Sequence, residues 1–536
     1  MLKTNWPIIF IILIYLAVTF GSLFLSVRQN DGHLIYALDD PYIHMAYAEN
    51  MVESGVWGVT AYHFSSATSS MLWTMMLTAY YYLFGISNAA PLILNIAAVL
   101  AALVTVFFIF SRIGIGGWNN FWGLLLVLFC TPMTALTFSG MEHNLHLLSA
   151  IPFIYLSGKI LGSRDPSVKQ TVILFLIAPL MIMTRYEGLF MLGIVVLMFL
   201  FKKKYLYGIL LGLVAVIPIG IYGFISLSHD WWFLPNSVLL KGNMPVSSSP
   251  GRILFFFYMG LRRLVENSHM VVLLGAAAYL LYNRIEKSNF FRNESAIMLT
   301  IFIASSLLHL LFARTSWFFR YEAYLVGTGL FVLIYTLFKK RKSPGRMISF
   351  KLDFRLVIIM VAAAIIASPF ILRAGQSLIR IQQATLNIYE QQFQMARFLH
   401  EYYEGQAVGA NDIGAINFFA DIDCYDLWGL GTMEVARARM SGEYDSRRVD
   451  RMTRDHGVKI AVIYEEWFNV DIPGGVPEEW IPVGKWRILD NKICGDDEVT
   501  FYAVDPDETE RLIRALNEFS SKLPARVVQS GYYLEH

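Results

Sequence analysis

The sequence predicts a polytopic α-helical membrane domain followed by a soluble α/β domain, and three observations carry that prediction. Hydrophobic residues make up 56% of the 536-residue chain and charged residues only 16%, against about a quarter charged in soluble proteins. Residues 7–373 repeat apolar runs of roughly membrane-spanning length, separated by basic clusters. From 376 to 536 the composition returns to a soluble mix in which strand-like and helix-like stretches alternate. The net charge of +2 offers no nucleic-acid surface. The domains are therefore predicted as 1–375, in the membrane, and 376–536, outside it.

The first run, Trp6 to Val27, is long enough to span and has no small-residue cleavage site behind it, so it reads as an anchor rather than a removed signal. Later spans are predicted at 89–111, 119–138, 143–161, 171–184, 188–201, 205–226, 269–282, 296–312, 321–338 and 355–373. Several fall short of the ~20 residues of a straight crossing, which predicts kinked or partly buried helices. Lys and Arg favour the cytoplasmic side. Arg112, the Lys159/Arg164/Lys169 group, Lys202-Lys203-Lys204, the Arg284/Lys287/Arg292 group and Lys339-Lys340-Arg341-Lys342 can all lie inside only if 70–85 does not cross. That stretch is predicted interfacial or re-entrant, leaving eleven spans; the alternative is that 70–85 crosses and another span is misassigned.

The loops left outside, chiefly 28–88 and 227–268, hold the unusual polar residues. Tyr36-Ala-Leu-Asp39-Asp40-Pro41-Tyr42-Ile43-His44 opens a helix, with Pro41 at a first-turn position that tolerates it. Asp40 reads on its own as a cap and Asp39 as a complement to the helix's positive end. The same side carries Ser65-Ser66-Ala67-Thr68-Ser69-Ser70, Ser139-Gly140-Met141-Glu142, Thr184-Arg185-Tyr186-Glu187-Gly188, Leu234-Pro235-Asn236-Ser237 through Lys241, and Arg314, Trp317, Arg320, Tyr321 and Glu322. Ionisable groups at membrane depth are costly, so five loops converging on one face argue for a polar cavity rather than scattered snorkelling side chains.

In the soluble part, a Gln-rich helix is expected from Gln376 to Tyr403, then a strand and turn at Ala407–Ile416, an apolar stretch through Tyr425–Leu430, and a helix near Met433–Met440. Strands follow at 458–464, 480–489 and 499–504, and a last helix near 508–521. The single glycine of Asp412-Ile-Gly falls short of a phosphate-binding fingerprint. Cys130 reads as a packed small hydrophobe. Cys424 and Cys494 can pair in an oxidising compartment, and the cysteine spacing matches no metal site.

Carboxylates can take a proton from a hydroxyl, and Arg and Lys can hold a phosphate and steady it as it leaves. Tyr42, Tyr47, Trp57, Trp73, Trp231, Trp232 and Trp317 can stack on sugar faces or serve as interfacial anchors. Taken in order, Asp-Asp-x-Tyr-Ile, Tyr-Ala-x-Asn and the Ser/Thr-rich segment ending in Leu-Trp resemble the first exterior loop of GT-C fold glycosyltransferases. The group most similar is that of the bacterial terminal arabinofuranosyltransferases. Ser139-Gly140-Met141-Glu142 resembles its Ser-Gly-Leu-Glu, Thr184–Gly188 its Thr-Arg-Pro-Glu-Gly with Tyr for Pro, and Leu234–Lys241 its Leu-Pro-Asn-Thr…Lys stretch. Asp412–Ile416 and Asp426–Leu430 resemble its exterior C-terminal domain. The chain departs from that group after Asn50 and lacks a Gly-Glu-x-x-Glu-Gly run.

The resemblance implies an inverting transfer of a sugar, arabinofuranose among the candidates, from a polyprenyl-phosphate donor to a hydroxyl of an envelope glycan or secreted protein. The place would be the exterior face of a bacterial inner membrane. It implies Asp39 as general base and Asp40 as its orienting or acceptor-binding partner. Glu142, Arg185 and Glu187 would line the cavity, Asn236, Lys241, Arg314 and Arg320 would hold the donor phosphate, and His44 would join them. The acidic pair can also hold a divalent cation through oxygens, although no spacing demands one. The rival readings are a lipid-linked-sugar transporter and a non-catalytic glycan-binding membrane protein; mainly basic cytoplasmic loops disfavour the first, and the acidic pair the second.

Overall fold

The structure is a computed structural model that describes residues 2–241, 251–285, 290–339 and 354–535. Among them, six helices are long and apolar enough to cross a membrane, or seven if the pair Phe255–Glu266 and Ser268–Arg284, bent by 99°, counts as one span. Four shorter apolar helices, Gly117–Cys130, Val168–Thr184, Gly188–Phe201 and Ala323–Phe338, pack among them. The chain is thus a multi-pass membrane protein. The run expected as one span at 119–138 breaks at Thr131-Pro132 into Gly117–Cys130 and a six-residue helix Met133–Phe138, because Pro132 has no N–H to continue the ladder. The 70–85 stretch forms helix Met71–Phe84, whose first turn is capped by Ser70 Oγ accepting from Trp73 N at 3.3 Å. Its last turn leaves Tyr82, Leu83 and Phe84 exposed.

The helices separate two kinds of chemistry by their length. At one end of the bundle Lys159, Lys339 and Tyr335 converge on Glu294, Arg284 Nη2 donates to Thr336 O, and Lys202 Nζ donates to Ser163 O. At the other end of two of these same helices, His143–Gly162 and Ala323–Phe338, lie Glu142 and Glu322. A 20-residue helix is roughly 30 Å long. The lysine-rich end and the acid-and-arginine end are therefore opposite faces of one bundle.

The predicted boundary at 375 falls inside one continuous helix, Phe354–Glu390, which carries the bundle directly into the C-terminal domain. Gln391 interrupts it before helix Gln392–Tyr402. A six-stranded sheet follows: β1 Ala407–Ala410, β2 Asp423–Asp426, β3 Ile460–Ile463, β4 Ile481–Arg487, β5 Glu498–Ala503 and β6 Val528–Ser530, in the order β2-β1-β3-β5-β4-β6. Strands β1, β2 and β3 run parallel and the rest antiparallel. Val408, Ala410, Ile460 and Val462 point to one side, where Phe398, Leu512, Leu516 and Phe519 cover them. Ala461 and Ile463 face the other, against Val435, Val449, Met452 and Phe468. This period-two division gives a helix–sheet–helix sandwich. Ile43, Tyr47, Val59 and Ala67 of the first loop belong to the first of these cores. The first loop and the C-terminal domain are therefore packed as one body. Cys424 and Cys494 are buried as free thiols in different clusters and do not pair.

Candidate functional site

The acidic pair stands at the junction of bundle and sheet, and its two members face different neighbours. Asp39 is buried; its Oδ2 accepts from Gly414 N at 2.6 Å and its Oδ1 from Ala415 N at 2.7 Å. These are orphan amides at the start of helix Ala415–Phe419. Only glycine allows this approach, since a Cβ on residue 414 would lie 2.1 Å from Asp39 O. Burial and the neighbouring Asp412 carboxyl raise the Asp39 pKa well above the usual carboxylate range, against the pull of the two amides. Asp412 in turn accepts from Gln392 Nε2 at 3.0 Å and Tyr464 Oη at 3.3 Å.

Asp40 begins helix Asp40–Glu53 and keeps 21% of its side chain exposed. Its Oδ2 lies 2.6 Å from Arg320 Nη2. Asp40, Arg314, Arg320 and Tyr321 border both of two adjoining cavities, of about 610 and 280 Å3. The larger cavity is closed on the bundle side by Arg262, Arg263 and Trp317, and on the sheet side by Asp412, Trp428 and Trp467. The smaller is lined by Arg185, Glu187, Leu189, Phe190 and Phe312.

The loop that delivers the arginines is held in unusual backbone geometry. Ser316, Phe318 and Phe319 have φ of 76°, 48° and 61°, conformations that cost of order 1–3 kcal/mol each outside glycine. A buried ion pair restrains them: Glu322 Oε2 accepts from Ser316 N at 2.9 Å, its Oε1 meets Arg373 Nη1 at 2.7 Å, and Arg373 Nη2 donates to Phe319 O at 2.8 Å. The result points Arg314 outward and buries Arg320, whose Nε has no hydrogen-bond partner among the described residues. Arg320 and Arg185 flank the Tyr321 ring at 4.8 and 5.5 Å. Arg185 binds Glu142 at 2.7 Å and Glu187 at 2.6 and 3.1 Å. Burial raises the Glu187 pKa, but the Arg185 guanidinium outweighs it and holds that carboxyl at about 2.

Of the residues singled out from sequence, Asp39, Asp40, Arg185, Glu187, Arg314 and Arg320 border the cavities. Glu142 is fully buried behind Arg185. His44 lines neither of these two cavities; it is buried against Thr74 Oγ1 at 2.8 Å and Thr68 Oγ1 at 3.2 Å, 4.0 Å from Glu142. Asn236 is buried too, its Nδ2 donating to Gly429 O at 2.8 Å and its N to Ser66 O at 2.8 Å, so it ties three segments together. Lys241 ends helix Asn236–Lys241, but its side chain lies outside the described residues. Gly140 matters for the pair as well: at φ 66°, a Cβ there would come 2.8 Å from Pro41 Cβ. Of the expected aromatics, Tyr42, Tyr47 and Trp73 are fully buried, and Trp317 lines the larger cavity. Trp428, inside the Asp426–Leu430 motif, and Trp467 carry no mark of a site residue in the sequence, because aromatics in a soluble domain give no periodic signal. Among the described residues no cluster of three or more His, Cys, Asp or Glu is placed to hold a metal ion. The acidic pair itself does not fit one, since Asp39 faces amide N–H groups and Asp40 an arginine.

A helical bundle with a strained, arginine-bearing acid site, roofed by an α/β domain, defines a membrane protein with a polar reaction-sized chamber at one face. Residues 384–502 match a family described as a domain of unknown function (DUF8728). No curated protein matches the chain. Among solved structures it is similar to ArnT from Cupriavidus metallidurans bound to undecaprenyl phosphate, at 13% identity and TM-score 0.51, covering 94% of this chain and 98% of that one. It is also similar to the archaeal oligosaccharyltransferase AglB from Archaeoglobus fulgidus, at 12% identity and TM-score 0.47, covering 97% and 76%. A third is the mycobacterial arabinofuranosyltransferase AftD, at 14% identity and TM-score 0.42, covering 91% and 41%. The chain has the GT-C fold of glycosyltransferases.

Proposed function

We propose that the chain is an inverting glycosyltransferase that moves a sugar, with arabinofuranose one candidate, from a polyprenyl-phosphate donor to a hydroxyl of an envelope glycan or secreted protein. The observation that carries this reading is Asp40, whose carboxylate borders both cavities beside Arg314 and Arg320. The donor phosphate sits at Arg314 and Arg320, and Leu189, Phe190 and Phe312 of the smaller cavity receive the first isoprene units. As the bond from the anomeric carbon to the phosphate oxygen breaks, negative charge gathers on the departing monophosphate, and the two guanidiniums stabilise it. The acceptor oxygen bonds to the opposite face of that carbon, which inverts its configuration, and the acceptor's proton passes to Asp40. Donor phosphate competes with Asp40 for Arg320, so donor binding weakens the ion pair and makes Asp40 the stronger base.

The sequence alone favours Asp39 as base. Its two oxygens engaged by Gly414 and Ala415 favour instead a positioning role, in which Asp39 fixes the loop that presents Asp40. ArnT, solved with undecaprenyl phosphate, holds a ligand of the proposed donor's kind. Topology belongs to the same proposal: the bent pair and the four shorter helices join the six long ones as eleven spans. The lysine-rich end then faces the cytoplasm, and the site and residues 376–536 the exterior of a bacterial inner membrane. Transfer by the purified protein from a panel of polyprenyl-phosphate sugars, with mass spectrometry of the product, tests the activity. Asp40→Asn abolishes product while the purified protein remains folded; near-normal turnover defeats the assignment.

A further inference from the structure

The larger cavity has two chemically different walls. The bundle side carries Arg262, Arg263, Arg314 and Arg320 beside Glu266, while the described lining residues from the sheet domain include no Lys or Arg. That second wall is made by the segments following the carboxyl ends of the three parallel strands: Asp412 in the loop after β1, Trp428 in the loop after β2 and Trp467 in helix Glu465–Asp471 after β3. Open α/β sheets bind ligands at that edge.

Trp428 and Trp467 stand there as a tilted pair, ring centroids 4.9 Å apart at 56°. Both are only half-buried, although large aromatics contribute most to stability when fully buried. Their positions are built rather than incidental. Asp426 Oδ1 accepts from Trp428 N at 2.7 Å and its Oδ2 from Gly431 N at 2.6 Å, fixing the loop. The Arg439 guanidinium lies 3.6 Å over the Trp428 ring. Trp467 Nε1 donates to Gly495 O at 3.3 Å, and its ring rests 5.3 Å from that of Tyr464. The indole surface left over faces the cavity.

An electron-rich ring face attracts the weakly positive C–H patch of a sugar ring, and a neighbouring carboxylate such as Asp412 accepts from sugar hydroxyls. The phosphate of a lipid donor needs the cations of the opposite wall. A peptide is taken up along an open strand edge or an apolar groove; β1 and β3 are interior strands here, and the edge strand β2 offers only four residues, Asp423–Asp426. We infer that Trp428 and Trp467 form the acceptor subsite for a saccharide, so that this chain glycosylates a glycan rather than a protein. The inference rests on the transferase reading and names its acceptor class.

The test is saturation-transfer NMR on the full-length protein in detergent, with oligosaccharides of arabinan, galactan, mannan and glucan type and a matched set of Ser/Thr-containing peptides. At least one saccharide class binds the wild-type protein. Trp428→Ala and Trp467→Ala weaken it roughly tenfold, while Trp428→Phe retains most of it and reports that the loop is intact. In transfer assays the alanine variants raise the KM for acceptor and leave that for donor unchanged. Saccharide binding that is indifferent to both tryptophans, or binding by peptides alone, overturns the proposal. Tryptophan-dependent saccharide binding without transfer from any donor supports the subsite and defeats only the transferase reading.

Discussion

The contact between Gly414 and Asp39 yields the sharpest prediction. Residue 414 has φ −80° and ψ −81°, a negative φ just past the border of the right-handed helical region, so replacing Gly414 by alanine acts mainly through space. The added Cβ would lie 2.1 Å from Asp39 O and 2.4 Å from its Oδ2, where an ordinary non-bonded contact is about 3.5 Å. Helix Ala415–Phe419 and the Asp39 loop must therefore separate by roughly 1 Å, breaking two hydrogen bonds to a buried carboxylate. At about 0.5–1.5 kcal/mol for each hydrogen bond, the loss is about 1–3 kcal/mol. Thermal melting of the purified protein reads it as a fall of roughly 3 °C or more. Hydrogen exchange places it in residues 36–45 and 411–419, and sugar transfer falls with it as Asp40 is displaced. A variant that melts with wild type and shows unchanged exchange in both segments refutes the clamp.

Glu49 is partly buried; burial first, then Glu53 and Asp421, push its pKa up to about 8. An acid bound more tightly by the folded state loses stability as pH rises from about 4.5 toward that value. Glu49→Gln therefore melts with wild type near pH 5 and above it at pH 8–9; the reverse order refutes the assignment. Arg314→Gln raises the KM for a polyprenyl-phosphate donor roughly tenfold, with the acceptor KM unmoved, and equal changes in both speak against a phosphate site. A reporter fused after residue 203 is cytoplasmic and one after residue 376 exterior; the opposite pair reverses the topology. Alkylation of denatured, unreduced protein labels Cys130, Cys424 and Cys494, whereas protection of the last two shows a disulfide.

Much of this was legible from residues because it follows from composition and local spacing. Apolar length gives the bundle, basic loops its polarity, and the convergence of Asp40, Arg185, Glu187, Arg314 and Arg320 follows from their placement at helix ends on one side. Strands β3, β4 and β5 show in their branched and aromatic residues and β1, Ala-Val-Gly-Ala, in the glycine-containing turn that follows it, whereas β6, three residues of Val-Gln-Ser, has no such pattern. The different fates of Asp39 and Asp40 were illegible: adjacent in sequence, they are told apart by Gly414, 375 residues away. Asn236 and His44 look like ligand groups in a string of letters. In the fold, Asn236 Nδ2 donates to Gly429 O and His44 Nδ1 meets Thr68 and Thr74, partners that no local pattern announces.

Helix Phe354–Glu390 runs from the bundle to the sheet domain and breaks only at Gln391, while Asp39 fastens that domain to the first loop from the other side. Held at two points, the domain is not a module on a tether, and it contributes one half of the chamber. Replacing it with a foreign domain would remove a wall instead of redirecting the protein. Relatives that diverge in what they recognise are expected to do so by point changes in the turns after β1, β2 and β3, and exchange of whole C-terminal cassettes should yield inactive chimeras.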